Sequence, residues 1–276
     1  MKKIDGYIQL TRPVNLLIAF VSIFMGGFVT GSIQPLAKLL FACLSGTLIA
    51  AGANAVNDFY DLDIDRINRP KRPLPSGRVS PTHAHVFSIV LFIAGIVFSV
   101  FIHMAGVIIA ISSSVLLYLY SLRLKRTVLW GNITVATITG MAFVYGGMAV
   151  GRTREAMVVG VFAFFYHGAR EIIKDVEDME GDQAQGISTL PIRYGVQRAL
   201  VWVTIALIIL IGLTFIPYVL GIFSMYYLVI VVVGVDLFLV YVLISMWRNP
   251  ESRNLGRLAV WMKADMLMGL LAVYLG

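Results

Sequence analysis

Asn57, Asp61 and Asp65 stand four residues apart, and Lys174, Asp178 and Asp182 repeat that spacing 117 residues later. On a helix, four-residue spacing stacks side chains on one face, one turn above the next. Stacked carboxylates repel one another by a few tenths of a kcal/mol per pair, so such a ladder calls for cations. Donors that are all oxygen favour a hard ion. Mg2+ comes ahead of Ca2+, because Mg2+ takes one or two carboxylates and fills its shell with water and phosphate oxygens. No His/Cys cluster in the chain points to zinc. A single Asp-x3-Asp is usually a solvated loop edge. Two copies at one offset, each trailed by a Leu-Pro step at Leu74-Pro75 and Leu190-Pro191, argue for a shared chemical role.

Cations follow the first acidic ladder at once. Arg66, Arg69, Lys71, Arg72 and Arg78 come directly after Asp58, Asp61, Asp63 and Asp65. A guanidinium forks onto phosphate oxygens and an ammonium acts as a point charge. Charge this dense beside an apolar run needs a ligand.

The elements that position these residues are membrane helices. Of the 276 residues 59% are hydrophobic and 13% charged, about half the charge of a typical soluble domain. Val14 to Gly31 has no Asp, Glu, Lys or Arg, and Ala84 to Leu122 has none over about twice the length of a span. That second stretch must fold as two helices, hinged near His103 to Gly106. Ala199 to Val235 must turn near Pro217 to Gly221. With residues 37–56, 132–150, 156–173, 223–247 and 258–275, the expectation is an all-α polytopic membrane protein of nine spans. No cleavable signal peptide is expected.

Lys and Arg set the orientation, since they concentrate in inside loops. Lys2, Lys3, Arg12, the Arg66 to Arg78 group, Arg123, Lys125, Arg126, Lys174, Arg193, Arg198, Arg248, Arg253 and Arg257 fall inside when the amino terminus is inside. Lys38, Arg152 and Arg154 fall outside. The acidic and basic loops are then cytoplasmic, and the carboxyl terminus is outside. The net charge of +7 is largely this asymmetry, which leaves little weight for nucleic acid as a partner. Both acidic ladders sit at the carboxyl ends of their spans, where the helix dipole disfavours carboxylates. Cys43 reads as a small core or lipid-facing residue. Asp236 and Lys263 read as a buried structural pair between adjacent spans. A secondary transporter is the rival reading, since it too uses repeats and acids within spans, but its site would sit nearer the midplane.

At these motifs the chain resembles the UbiA superfamily of intramembrane prenyltransferases. The resemblance rests on Asn57-x3-Asp61-x3-Asp65, on Arg69-Pro70-x-Arg72-Pro73-Leu74-Pro75-Ser76-Gly77, on Asp178-x3-Asp182 and on Thr11-Arg12-Pro13-x-Asn15, and it covers essentially the whole chain. It implies a single domain over residues 1–276, with nine helices around a central cavity capped by cytoplasmic loops. It also implies two Mg2+ ions bridging an isoprenyl diphosphate. Asn57, Asp61, Asp65, Asp178 and Asp182 would be the metal ligands. Arg12, Asn15, Arg72, Tyr120, Lys125 and Lys174 would contact the diphosphate or the acceptor. Many members carry Tyr-x3-Lys where this chain has one more residue between Tyr120 and Lys125, so Arg123, Lys125 and Arg126 stay open as the phosphate-contacting cation.

Breaking an allylic C–O bond leaves a carbocation and a diphosphate anion, and the anion is stabilised by metal and cationic side chains. The carbocation needs water excluded and a π face nearby, for which Tyr60, Tyr118, Tyr120, Tyr145 and Tyr166 are candidates. Arg170-Glu171-x2-Lys174-Asp175-x2-Asp178-x2-Gly181-Asp182 with Thr189-Leu190-Pro191 is most similar to the branch making archaeal-type ether lipids. That branch adds geranylgeranyl to the hydroxyl of geranylgeranylglyceryl phosphate. Close relatives in the superfamily instead prenylate hydroxybenzoate or quinone precursors.

Overall fold

The computed structural model describes residues 2–184 and 186–276, and the side chains of Lys2 and Lys3 lie outside the described set. Helices make up all the regular structure among the described residues. In the first half they are α1 (Lys2–Thr11), α2 (Pro13–Phe28), α3 (Leu36–Tyr60), α4 (Leu62–Asn68), α5 (Pro81–Ser99) and α6 (Met104–Leu122). The second half has α7 (Trp130–Ala149), α8 (Thr153–Glu177), α9 (Met179–Ala184), α10 (Leu190–Tyr194), α11 (Val196–Thr214), α12 (Ile216–Val219), α13 (Met225–Ile230), α14 (Leu237–Arg248) and α15 (Ser252–Leu275). Both α3 and α8 have 25 residues, and their first residues are 117 apart, as are those of α2 and α7.

Among the described residues seven helices are long and apolar enough to cross a membrane: α3, α5, α6, α8, α11 with α12, α13 through α14, and α15. A further pair, Ile4–Thr11 and Pro13–Phe28, passes the same test together but is bent by 45°. The multi-pass class expected from composition holds. The hinge after α5 lies slightly earlier than the sequence suggests. Its break is at residues 100–103, His103 accepts from the Ala105 N–H at 3.2 Å as the N-cap of α6, and Gly106 already lies within that helix.

The chain packs as two compact units. The first holds the chain up to Gly27, Ser32–Lys125 and Met141–Ala156. Its central contact is α3 on α5, and small residues set the distance. A Cβ on Gly52 would lie 2.9 Å from the Ser88 carbonyl, and one on Gly95 2.8 Å from the Ser45 carbonyl. Only glycine lets the backbones come this close, as at many helix interfaces in lipid. Ser45 Oγ then donates to the Gly95 carbonyl at 2.7 Å. This contact seats the helix that ends in Asn57 and Tyr60. Cys43 is fully buried here beside Ile23, Leu39, Ile102 and Tyr145, so it is a core residue and not a lipid-facing one.

The second unit holds Phe28–Gly31, Arg126–Gly140 and Met157–Gly276. Polar bonds tie α8 to α15 within it. The Tyr166 hydroxyl donates to Asp265 Oδ2 at 2.8 Å with the Met262 carbonyl at 2.9 Å, and Arg170 Nε donates to the Ala259 carbonyl at 3.1 Å. The expected Asp236–Lys263 pair does not form. Residues 231–236 make a π turn whose extra residue per turn re-aims Asp236, which accepts from Thr214 Oγ1 at 3.0 Å. Lys263 lies on the exposed face of α15 with Val260 and Leu267.

Candidate active site

Asp61 ends α3 and opens α4, at φ −94° and ψ 3°. The i to i−4 bonds nevertheless run through it, from the Asp61 N–H to the Asn57 carbonyl at 3.0 Å and from the Asp65 N–H to the Asp61 carbonyl at 2.8 Å. The ladder therefore keeps its helical register. Asp178 does the same between α8 and α9, with bonds of 2.9 Å to the Lys174 carbonyl and 3.0 Å from the Asp182 N–H. These breaks correct the electrostatic expectation. Asp63 and Asp65 stand in the first turn of α4, and Glu180 and Asp182 in the first turn of α9. A dipole favours carboxylates there by about 0.3–1 kcal/mol, which offsets the penalty of the preceding carboxyl end.

In the first unit each acid of the ladder meets a cation. Lys125 Nζ donates to Asn57 Oδ1 at 3.0 Å and makes a short bond to Asp61 Oδ1. The extra residue after Tyr120 is absorbed by a 3-10 turn at Leu124–Arg126, which brings Lys125 onto the ladder. Arg72 Nη1 donates to Asp65 Oδ2 at 2.6 Å and to Asp58 Oδ1 at 3.3 Å. Arg12 Nη2 makes a short bond to the same Asp58 oxygen. Arg12 stands at φ +54° in the kink between α1 and α2, a conformation costing a non-glycine residue about 1–2 kcal/mol. The kink is held by Asn54 Nδ2, which donates to the Thr11 carbonyl at 2.8 Å. Strain there is the means by which the guanidinium reaches Asp58.

The basic loop is pinned from both sides. Leu74 and Val79 bury against Leu10 and Ala84, while Arg78 Nη2 donates to the Lys71 carbonyl at 2.7 Å and to Gln9 Oε1 at 2.9 Å. Arg12, Arg69, Lys71, Arg72 and Asp58 then line a cavity of about 530 Å3. Four cations and one acid give that lining an excess of positive charge.

In the second unit Lys174 is exposed, with Nζ 3.9 Å from Asp178 Oδ2. The Asp182 carboxyl is pushed above the ordinary carboxylate range by burial and then by Asp178, with Lys174 opposing. Asn132 Nδ2 donates to Asp175 Oδ2 at 2.8 Å, and Arg170 Nη1 to Glu171 Oε1 at 2.8 Å.

Of the residues singled out from sequence, Asn57, Asp61 and Lys125 come together, as do Arg12, Asp65 and Arg72. Asn15 is exposed, and among the described residues its side chain makes no hydrogen bond. Tyr120 is half-buried on α6; the hydroxyl that lies 2.9 Å from Tyr60 belongs to Tyr118, which also lies 3.1 Å from His85 Nε2. Tyr145 and Tyr166 are buried and commit their hydroxyls to Ser45 and Asp265, which makes them packing residues. Asp58 was missed. The signal was present, because Asp58 and Asp175 are themselves 117 apart, each three residues ahead of the helix break.

The donor chemistry fits a hard cation. One ammonium already sits where the oxygens of Asn57 and Asp61 converge. Among the described residues no three acids or imidazoles cluster closely enough to hold an ion alone. That suits Mg2+, which relies on one or two carboxylates and on oxygens of its substrate.

Comparison with known proteins shows the family. Residues 16–264 match the UbiA prenyltransferase family. A digeranylgeranylglyceryl phosphate synthase of Methanothermobacter thermautotrophicus is 37% identical over 99% of this chain and 96% of its own. One from Methanopyrus kandleri is 39% identical over 97% of both. A solved structure of digeranylgeranylglyceryl phosphate synthase superposes with a TM-score of 0.92 at 33% identity, covering 100% of this chain and 99% of that one. A UbiA homolog from Archaeoglobus fulgidus bound to GPP and Mg2+ shares the fold, with a TM-score of 0.73 at 21% identity over 97% and 99% of the two chains. Matched along nearly its whole length by sequence and by fold, the chain belongs to the UbiA prenyltransferase family and is a membrane prenyltransferase.

Proposed function

We propose that this enzyme transfers a geranylgeranyl group from its diphosphate to the free hydroxyl of geranylgeranylglyceryl phosphate. The allylic C1–O bond of the donor breaks, the acceptor oxygen bonds to C1, and the hydroxyl proton leaves with the diphosphate or to water. Carrying this reading is the cavity lined by Arg12, Arg69, Lys71 and Arg72, with Asp58 of the same helix that bears the Asn57 oxygen, cation for phosphate and oxygen for metal on one stretch of chain. The acceptor is supported by the synthases to which the chain is 37% and 39% identical.

Asn57, Asp61, Asp65, Asp178 and Asp182 are the proposed metal ligands, for two Mg2+ ions. When bound, Mg2+ draws charge from the leaving diphosphate. Arg12, Arg72, Lys125 and Lys174 orient the phosphates, Asn15 and Tyr120 contribute at the substrate, and the rings of Tyr60 and Tyr118 face the forming carbocation. The single domain is a pseudo-repeat of about four spans with one added. The nine crossings would be the seven apolar helices, the bent α1–α2 pair and α7, which is long enough but is diluted by Asn132, Thr134, Thr137 and Thr139. The excess of Lys and Arg supports a cytoplasmic amino terminus with the catalytic loops, and an outside carboxyl terminus.

A donor and acceptor panel with radiolabelled prenyl diphosphates in bilayer discs tests this. The expected product is the Mg2+-dependent double ether. Use of hydroxybenzoate or dihydroxynaphthoate with no use of the glyceryl phosphate would overturn the acceptor, and solute uptake without diphosphate release would favour transport. Asp61→Ala and Asp178→Ala should each abolish turnover, and full activity in both would remove the metal assignment.

A further inference from the structure

A second cavity, of about 540 Å3, lies wholly in the second unit, where the turn before α7 meets α10 and the start of α11. Its lining carries two guanidiniums, Arg193 and Arg198, with Thr127 beside them, and its rings are Trp130, Tyr194 and Trp202. Among the described residues no acid lines it, and neither arginine is in an ion pair. Arg193 lies over the Tyr194 ring at 5.6 Å. Gly195, at φ +88°, makes the reversal that brings Arg193 and Arg198 to one cavity, and a β-carbon would be strained there. Arg198 and Trp202 share a face of α11 by their spacing. Arg198 is in the first turn of that 19-residue helix, where the dipole disfavours a cation unless an anion accompanies it.

The rings say where the anion comes from. Trp130, Tyr194 and Trp202 are 61%, 47% and 48% exposed; Trp130 is the first residue of α7, and Trp202 lies in the second turn of the apolar helix α11. Exposed indoles within the first two turns of apolar helices sit near headgroup depth. Two arginines without acids at that depth match a doubly charged phosphate better than a zwitterion, and the volume is in the range of about 300–1,000 Å3 typical of small-ligand sites.

We propose that Arg193 and Arg198, framed by Trp130, Tyr194 and Trp202, form a binding site for the phosphate monoester headgroup of a membrane amphiphile. The site shares no lining residue with the acidic ladders and does not depend on the acceptor assigned above. The test uses the full-length protein with Trp247 and Trp261 replaced by Phe, so that Trp130 and Trp202 report. It is placed in phosphatidylcholine discs containing brominated phosphatidate, brominated phosphatidylglycerol or brominated phosphatidylcholine. Phosphatidate should quench preferentially, and Arg193→Gln with Arg198→Gln should lower that preference by about tenfold or more, as for loss of charge-assisted bonds. Arg193→Lys with Arg198→Lys should retain much of it. Competition by inorganic phosphate would assign the site to free phosphate as well, and competition only by a glyceryl phosphate lipid would assign it to the substrate class; both uphold phosphate recognition. Equal quenching by all three lipids in the parent protein, or a glutamine variant that keeps the preference, overturns the proposal. The parent titration decides the matter even if the glutamine variant does not fold.

Discussion

Replacing Lys125 by Met should tighten the metal and loosen the donor at the same time. Lys125 bridges Asn57 and Asp61, the oxygens proposed to hold Mg2+, so a metal entering alone must displace the ammonium. The side chains of Lys125 and Asp61 are 13% and 19% exposed, so solvent screening removes little of the pair. A hydrogen bond to a charged group contributes about 1.5–3 kcal/mol. Taking the lower figure, since the freed oxygens regain water, Lys125→Met should bind metal about tenfold more tightly. The donor loses a cation for its diphosphate, and its KM should rise by about tenfold or more on the same reasoning. Mn2+ binding without donor, followed by electron paramagnetic resonance, measures the first effect; steady-state kinetics at saturating Mg2+ measures the second. Lys125→Arg keeps the charge and should leave Mn2+ affinity low. If Lys125→Met binds Mn2+ no more tightly than the parent while its melting temperature is unchanged, Lys125 does not share the metal's oxygens and the reasoning fails.

Asp58→Asn should release both Arg12 and Arg72 from their shared oxygen, raising donor KM by about tenfold and costing about 1–3 kcal/mol of stability, read by donor titration and thermal melting in detergent. Unchanged donor KM would show that the two arginines hold their places without it. Gly95→Leu should lower the melting temperature markedly, because even a Cβ would come within 2.6 Å of Ile49 Cγ1, whereas Gly212→Ala, with nothing within 4 Å, should be neutral or stabilising by up to about 1 kcal/mol. Tyr166→Phe should cost about 1–3 kcal/mol through the lost donor to Asp265, with turnover preserved at low temperature, and a larger loss of turnover than of stability would give Tyr166 a part in the chemistry.

Much of this enzyme is local in its sequence. A charge-free run of spanning length favours a membrane helix, and side chains four apart share a helical face, so the multi-pass class and the Asn57–Asp61–Asp65 register were legible residue by residue. The 117-residue spacing of the acids was legible too, but the equal 25-residue lengths of α3 and α8 were not, since hydropathy put the two spans at residues 37–56 and 156–173. What the sequence left open was who meets whom. Lys125 was preferred, with Arg123 and Arg126 left open, and only a 3-10 turn in the fold brings Lys125 to Asp61. Asp236 looked like a partner for Lys263 until a π turn aimed it at Thr214. Asp58 drew no attention because its partners, Arg12 and Arg72, come from a strained kink and a folded loop on either side of it in the chain. Helical periodicity and hydropathy are properties of neighbouring residues, and the chain states them outright. The pairing of distant charges depends on a rotation of about 100° per inserted residue, and only the packed helices decide it.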